Sequence, residues 1–267
     1  MISMMNKTLR TVLITLFSFG LYFLVDGAYF YDFRNWLYGI TGQLGISHII
    51  VYSMVGIPVF LGTALLHPRK FLDSLGLSKS ILTAVSFSLL CTLPMFIGFA
   101  LLFEINTEFS LDRILITVLA AAFFEELYFR GFLFGQIYRY TSWGFIPSVL
   151  VGALLFGLIH LYQGTGPYEL IGIFLITFLG GILYAWSYVE WNYNLWVPIF
   201  LHLLMNLSWG MFSVADNALG GTYANIFRGI TILLIIGLTI GYKLKKRESF
   251  IINKRTLLKK SSHNRYK

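Results

Sequence analysis

Eight charge-poor stretches, each long enough to matter to a bilayer, constrain this chain more than anything else in it. They run over 9–26, 47–66, 80–103, 113–138, 145–161, 170–189, 194–212 and 225–242. A helix needs about 20 mostly apolar residues to cross a hydrocarbon core of ~30 Å. Turn-type residues fall between the stretches: Asp26-Gly27, His67-Pro68-Arg69-Lys70, Gly164-Thr165-Gly166-Pro167 and Asp216-Asn217. The composition agrees, with 57% hydrophobic and 12% charged residues and a mean hydropathy of +0.73. A soluble domain carries about twice that charge, so a soluble enzyme, a disordered chain and a nucleic-acid module are excluded. The expected fold is all-α, a polytopic membrane protein of about eight transmembrane helices. With no internal repeat, residues 1–242 read as a single integral-membrane domain, followed by a basic tail over 243–267. The single cysteine, Cys91, supports neither a disulfide framework nor a Cys-based zinc site.

The net charge of +8 is concentrated at one end. From Lys243 to Lys267 there are ten basic residues and one acid, Glu248, a net of +9, which leaves −1 for residues 1–242. Such a tail reads as a topological anchor on an anionic leaflet, with membrane lipids as partners and no nucleic acid. With the N-terminus inside, sixteen Lys and Arg fall on the inner side and three, Arg34, Arg113 and Arg228, on the outer. This asymmetry predicts both termini in the cytoplasm and an even number of spans. The Phe-, Ile- and Lys-rich composition points to a bacterial inner membrane. Lys7 and Arg10 followed by an uncharged run also look like a signal peptide, but Asp26-Gly27-Ala28-Tyr29 is a poor cleavage site, and the first span is expected to be retained.

Ionisable residues inside a bilayer cost a few kcal/mol each and demand a partner or a task. The fourth stretch carries Glu125, Glu126 and Arg130, the fifth ends in Phe156-Gly157-Leu158-Ile159-His160, and the seventh holds His202 and Asn206. Residues four apart share a helical face. Glu126 therefore pairs with Arg130, and His202 and Asn206 line one cavity. Glu125 points elsewhere and must find His160, His202 or Asn206 on other helices. Taken singly, each has an inert reading: a packing ion pair, an interhelical hydrogen bond, amide glue. Six on three helices point to a polar centre. Glu125 as general base, a histidine holding a water, and a second histidine with an amide at an oxyanion would hydrolyse an amide bond. Alternatively, Glu125, His160 and His202 would hold a divalent metal such as zinc, leaving a position for water. His48, His67 and His263 read as inert, and the adjacent Ser47-His48 carries no site. Neither an H-E-x-x-H nor a Gly-x-Gly-Asp motif occurs.

Glu125-Glu126-x-x-x-Arg130, Phe156-x-x-x-His160 and His202-x-x-x-Asn206, in this order, resemble the CAAX prenyl endopeptidase and bacteriocin-processing (CPBP, or Abi) family, which includes the type II CAAX proteases. The resemblance covers about 113–212. It implies an eight-helix intramembrane glutamate-type protease in which Glu125 activates water, His160 assists, His202 and Asn206 form the oxyanion site, and Glu126 and Arg130 support them. Metal dependence is debated for the family. The implied substrates are a prenylated CAAX-like C-terminus or a peptide or bacteriocin precursor. Two other readings compete: a non-catalytic membrane scaffold or self-immunity protein, and a proton-coupled transporter. The scattered Pro58, Pro94, Pro147 and Pro198 do not pair halves as a transporter repeat would.

Overall fold

The computed structural model describes residues 2–259, with side chains from residue 6 onward. Among them the chain is helical throughout: α1 (Ile2–Thr41), α2 (Leu44–Val55), α3 (Ile57–Leu66), α4 (Phe71–Leu75), α5 (Ile81–Leu102), α6 (Leu111–Arg113), a π-helix (Ile114–Phe134), α7 (Gly135–Tyr140), α8 (Phe145–Ile159), a 3₁₀ turn (Leu161–Gln163), α9 (Pro167–Glu190), α10 (Trp196–Met211) and α11 (Thr222–Lys246). Every apolar stretch read from the sequence falls on one of these helices or helix pairs. Five helices, or six counting α2 with α3, are long and apolar enough to cross a membrane. Two others fall outside that count for physical reasons. The π-helix carries Glu125, Glu126 and Arg130, and α10 has 16 residues. The protein is an all-α, polytopic integral membrane protein.

Three boundaries differ from expectation. Asp26-Gly27 is not a turn: α1 runs through it for 40 residues, about 60 Å at 1.5 Å per residue. It stops at Gly42, whose positive φ of 66° suits a helix-terminating glycine. The second stretch is bent by 41° between α2 and α3. Pro58 has no N–H and clashes with the carbonyl four residues back. At the bend the Tyr128 hydroxyl donates to the Tyr52 carbonyl at 2.7 Å. Gly56 permits this, since a Cβ there would overlap that hydroxyl. The third difference is winding. The fourth stretch is a π-helix, and the Gly135 N–H still donates to the Arg130 carbonyl five residues earlier. π-winding is rare and concentrates at functional sites.

The basic tail takes part in the fold. α11 continues to Lys246, and Arg247 (φ 55°) turns the chain back. Glu190, at the end of α9, is fully buried and pairs with Lys243 at 2.7 Å. Its carboxylate also accepts the Ile251 and Ile252 N–H groups at 3.1 and 2.8 Å. Further along, the Leu258, Thr256 and Leu257 carbonyls accept the N–H groups of Gly144, Phe145 and Ile146 at 3.0, 2.8 and 2.9 Å. A helix begins with four orphan N–H groups. At α8 the tail satisfies three of them, and the fourth position is Pro147, which has none. Lys254, Arg255 and Lys259 remain exposed. Lys260, His263, Arg265 and Lys267 lie outside the described residues.

A Cβ on Gly144 would stand 2.4–2.5 Å from the Leu257 and Leu258 backbone. Gly144→Ala is therefore expected to lift the tail at a cost of about 1–3 kcal/mol. Limited trypsin digestion reads this as faster cleavage after Lys254 and Arg255, in proportion to the opened population.

α10 is fixed at its start by the loop before α5: the Leu195 N–H donates to Gly76 O, and the Trp196 indole to Leu77 O at 3.0 Å. It lies between α5 and the π-helix, α8 pairs with α9, and α11 packs on α5. Phe129, Tyr128, Phe132 and Leu133 of the π-helix sit in the main core. Glu125, Glu126 and Arg130 thus hang from a helix whose second half is almost entirely buried.

Candidate active site

Glu126 is fully buried, and its Oε1 has two partners: the Arg130 guanidinium at 3.2 Å and His202 Nδ1 at 2.9 Å. The i,i+4 pairing predicted from sequence is present, and α10 adds His202 to it. Arg130 stacks on two rings, with its guanidinium carbon 4.0 Å from the Phe156 centroid and 5.7 Å from that of Tyr184. Gly181 of α9 leaves room for it, because a Cβ there would meet Arg130 Nη2 at 3.3 Å. Phe156 thus walls the arginine as well as its neighbour His160, whose ring lies 4.4 Å away.

His160 ends α8. Its Nδ1 lies 2.7 Å from the Phe156 carbonyl. A carbonyl only accepts, so Nδ1 carries the proton and Nε2 keeps its lone pair. The same logic assigns His202: Nδ1–H donates to the Glu126 carboxylate, and Nε2 is turned away from it. Asn206, one turn later on α10, donates from Nδ2 to the Thr117 carbonyl of the π-helix at 2.8 Å. His202 and Asn206 therefore both face the π-helix.

Glu125 departs from the expected arrangement. Among the described residues no hydrogen bond or ion pair joins it to His160, His202 or Asn206. Adjacent residues on a helix point roughly 100° apart, and Glu126, facing α10 beside Arg130, takes the histidine. Glu125 is half-buried, and its Oε2 is enclosed without a hydrogen-bond partner. It lies instead within electrostatic reach of Asp26 and Tyr22 of α1, Tyr52 of α2 and Tyr162. Tyr162 connects it with His160, its ring 6.5 Å from the imidazole. Tyr52 stacks on Phe124 at 5.1 Å, so an aromatic wall backs the carboxylate.

The side chains expected to hold a metal stand apart in this structure. Glu125, His160 and His202 do not come together as ligands, and among the described residues no three His, Cys, Asp or Glu side chains do. The histidines set aside as inert pack against rings: His48 lies 4.8 Å from Phe30 and His67 4.0 Å from Tyr140. Burial lowers the proton affinity of His67, so it is neutral at pH 7.

Sequence reasoning missed two buried cations, and with them the buried Glu190. Arg228, counted with an outer loop, is 9% exposed in the second turn of α11. Lys243, counted with the tail, is 2% exposed beside Glu190. Both sit at the ends of apolar stretches, where long cationic side chains are normally solvated. The one available signal was that Arg228 falls inside the apolar stretch over 225–242 and Lys243 directly follows it.

Residues 107–208 match the family described as Type II CAAX prenyl endopeptidase Rce1-like. That segment contains all seven residues of the three motifs. The three motifs thus all lie within the segment that is similar to this family. A relative is YdiL of Bacillus subtilis (strain 168), named as a candidate membrane peptidase. It is 31% identical over 108 residues, which is 38% of this chain and 40% of that protein. The chain thus spans about two fifths of the relative it matches. No solved structure matches. α1 to α5, α11 and the tail lie outside the family match.

Proposed function

We propose that this protein is an intramembrane endopeptidase of the CPBP type. It hydrolyses a peptide bond of a membrane-associated substrate, either a prenylated CAAX-like C-terminus or a peptide or bacteriocin precursor. The observation that supports this most directly is the division of labour between adjacent acids. Glu126 is committed to Arg130 and His202, whereas Glu125 keeps an enclosed carboxylate oxygen with no partner. A carboxylate of that kind is suited to accept a proton from water.

In this reading water donates one proton to Glu125, and its oxygen adds to the scissile carbonyl. His160, with its Nε2 lone pair free, holds the second hydrogen of that water. Charge gathers on the carbonyl oxygen, where His202 and Asn206 donate. For that task His202 carries a second proton at Nε2, and Glu126 is the carboxylate that balances it. Glu125 then returns its proton to the departing amine, and the carbon–nitrogen bond breaks. Neither Glu126 nor Arg130 exchanges protons; they hold His202 in place. No step runs through a metal ion, since the donor set does not fit one. The proposed setting is an eight-helix bundle in a bacterial inner membrane with both termini cytoplasmic.

The test is quantitative terminal-peptide proteomics on membranes from cells making the wild-type protein or Glu125→Ala at equal levels. The reading expects a defined set of new termini that vanishes in the variant. Identical termini, together with a deletion phenotype rescued by Glu125→Ala, would overturn it and favour a membrane scaffold or self-immunity protein.

A further inference from the structure

Among the described residues, the cations buried to nine-tenths or more come with acids, with one exception. Arg130 has Glu126 and Lys243 has Glu190. Arg228, more than nine-tenths buried on α11, has no carboxylate within ion-pair distance among the described residues. Its Nη2 donates to the Ala218 carbonyl at 2.8 Å, its guanidinium carbon lies 4.5 Å over the Trp209 ring, and its Nη1 makes no hydrogen bond. One turn further along the same face, the fully buried Thr231 hydroxyl is also without a partner. Two enclosed donors three residues apart, one of them cationic, are costly unless an anion accepts from them.

Their surroundings place them beside the candidate active site. Tyr184 of α9 lies within electrostatic reach of Arg228, Glu126 and Arg130 alike, and its ring is 5.8 Å from that of His202. The loop over 212–221 closes the other side. Gly220, at φ 68°, lets it lie against the Trp209 ring, and the Ala218 N–H donates to Gln163 of the turn that follows His160. One loop therefore contacts both the Arg228 guanidinium and the segment carrying His160.

We propose that Arg228 and Thr231 form an anion-binding site that receives an oxyanion carried on an apolar ligand. The anion replaces the Ala218 carbonyl at the guanidinium and takes the Thr231 hydroxyl as its second donor. Two sources share this chemistry, the carboxylate at a peptide terminus and the phosphate of a lipid. That the peptide would be a substrate rests on the peptidase reading; the anion site itself does not. If it is, the site anchors a terminus one ring away from the His202 cluster and fixes which bond reaches Glu125.

The experiment uses the full chain in dodecyl maltoside micelles, which carry neither phosphate nor carboxylate, on a Glu125→Gln background, so that binding is read without turnover and fails independently of the peptidase reading. Thermal stability is followed with N-acetyl-leucyl-leucine, with its C-terminal amide, and after adding phosphatidylglycerol to the micelles. Binding to the folded state raises the melting temperature. The free acid is expected to raise it and the amide not to, if the source is a peptide terminus. Phosphatidylglycerol is expected to raise it if the source is a lipid phosphate. In either case Arg228→Met loses the shift, Thr231→Val reduces it at least threefold, and Arg228→Lys keeps part of it. Ligand-free Arg228→Met is expected to melt at or above the parent, because it removes an unpaired buried charge. The proposal is overturned if no anion raises the melting temperature, or if Arg228→Met responds as the parent does.

Discussion

Glu125→Gln is expected to lower peptide-bond turnover by at least about 10²–10⁴-fold, the usual contribution of a positioned general base, while leaving the fold intact. The substitution keeps the size and hydrogen-bonding outline of the side chain and removes only its capacity to take a proton. It also removes no bond on which the structure depends. Glu125 contributes no ion pair and no hydrogen bond among the described residues, and its Oε2 is unpartnered. The melting temperature should therefore stay near that of the wild type, whereas substitutions at Glu126 should shift it. A cleavage assay with purified protein in nanodiscs, run beside a thermal melt, separates these outcomes. Full activity in Glu125→Gln would remove the general base from the mechanism. Lost activity with a collapsed melt would recast Glu125 as a structural residue.

Much of this architecture was legible in the order of residues, and the reason is the solvent. In a bilayer, apolar length and isolated polar residues are loud signals, so the helical class, the Glu126–Arg130 pair and the facing of α10 toward the fourth stretch could be read directly. Geometry that depends on winding could not. Spacing to Arg130 separates Glu126 from Glu125, but it does not say which of the two meets His202. Their division follows from which one shares a face with Arg130 and meets α10, and from a π-winding that no periodicity in Ile114–Phe134 announces. Asp26-Gly27 reads as a turn by composition, yet α1 continues through it because Tyr22 and Phe30 on either side are buried against other helices. The tail misled in a different way. Its charge is real, but Glu190 is the acid that captures Lys243, and a single carboxylate at a span end gives no hint that a later segment will cap α8.

Arg130→Met is expected to be the most destabilising single change in the motif core, at about 3–5 kcal/mol, because it leaves the Glu126 carboxylate buried with too little compensation. Glu126 has no solvent exposure, and its Oε2 already lacks a hydrogen bond. Removing the guanidinium leaves His202 as the remaining partner, at 2.9 Å. The stacking of Arg130 on Phe156 at 4.0 Å goes as well, although the methionine retains apolar contact with the ring. The argument is sharpened by the double variant Glu126→Gln/Arg130→Met. A neutral amide oxygen at 126 still accepts from His202 Nδ1–H, and no buried charge is left unpaired. Most of the lost stability should therefore return, although each change alone is damaging. This is a coupling that a double-mutant cycle measures directly. Activity should follow a different course. Without a carboxylate at 126, nothing balances the second proton on His202, so the double variant is expected to be stable yet slow. Recovery of both stability and turnover in the double variant would show that Glu126 and Arg130 only fill space. Recovery of stability alone assigns the pair to holding His202 charged and in place.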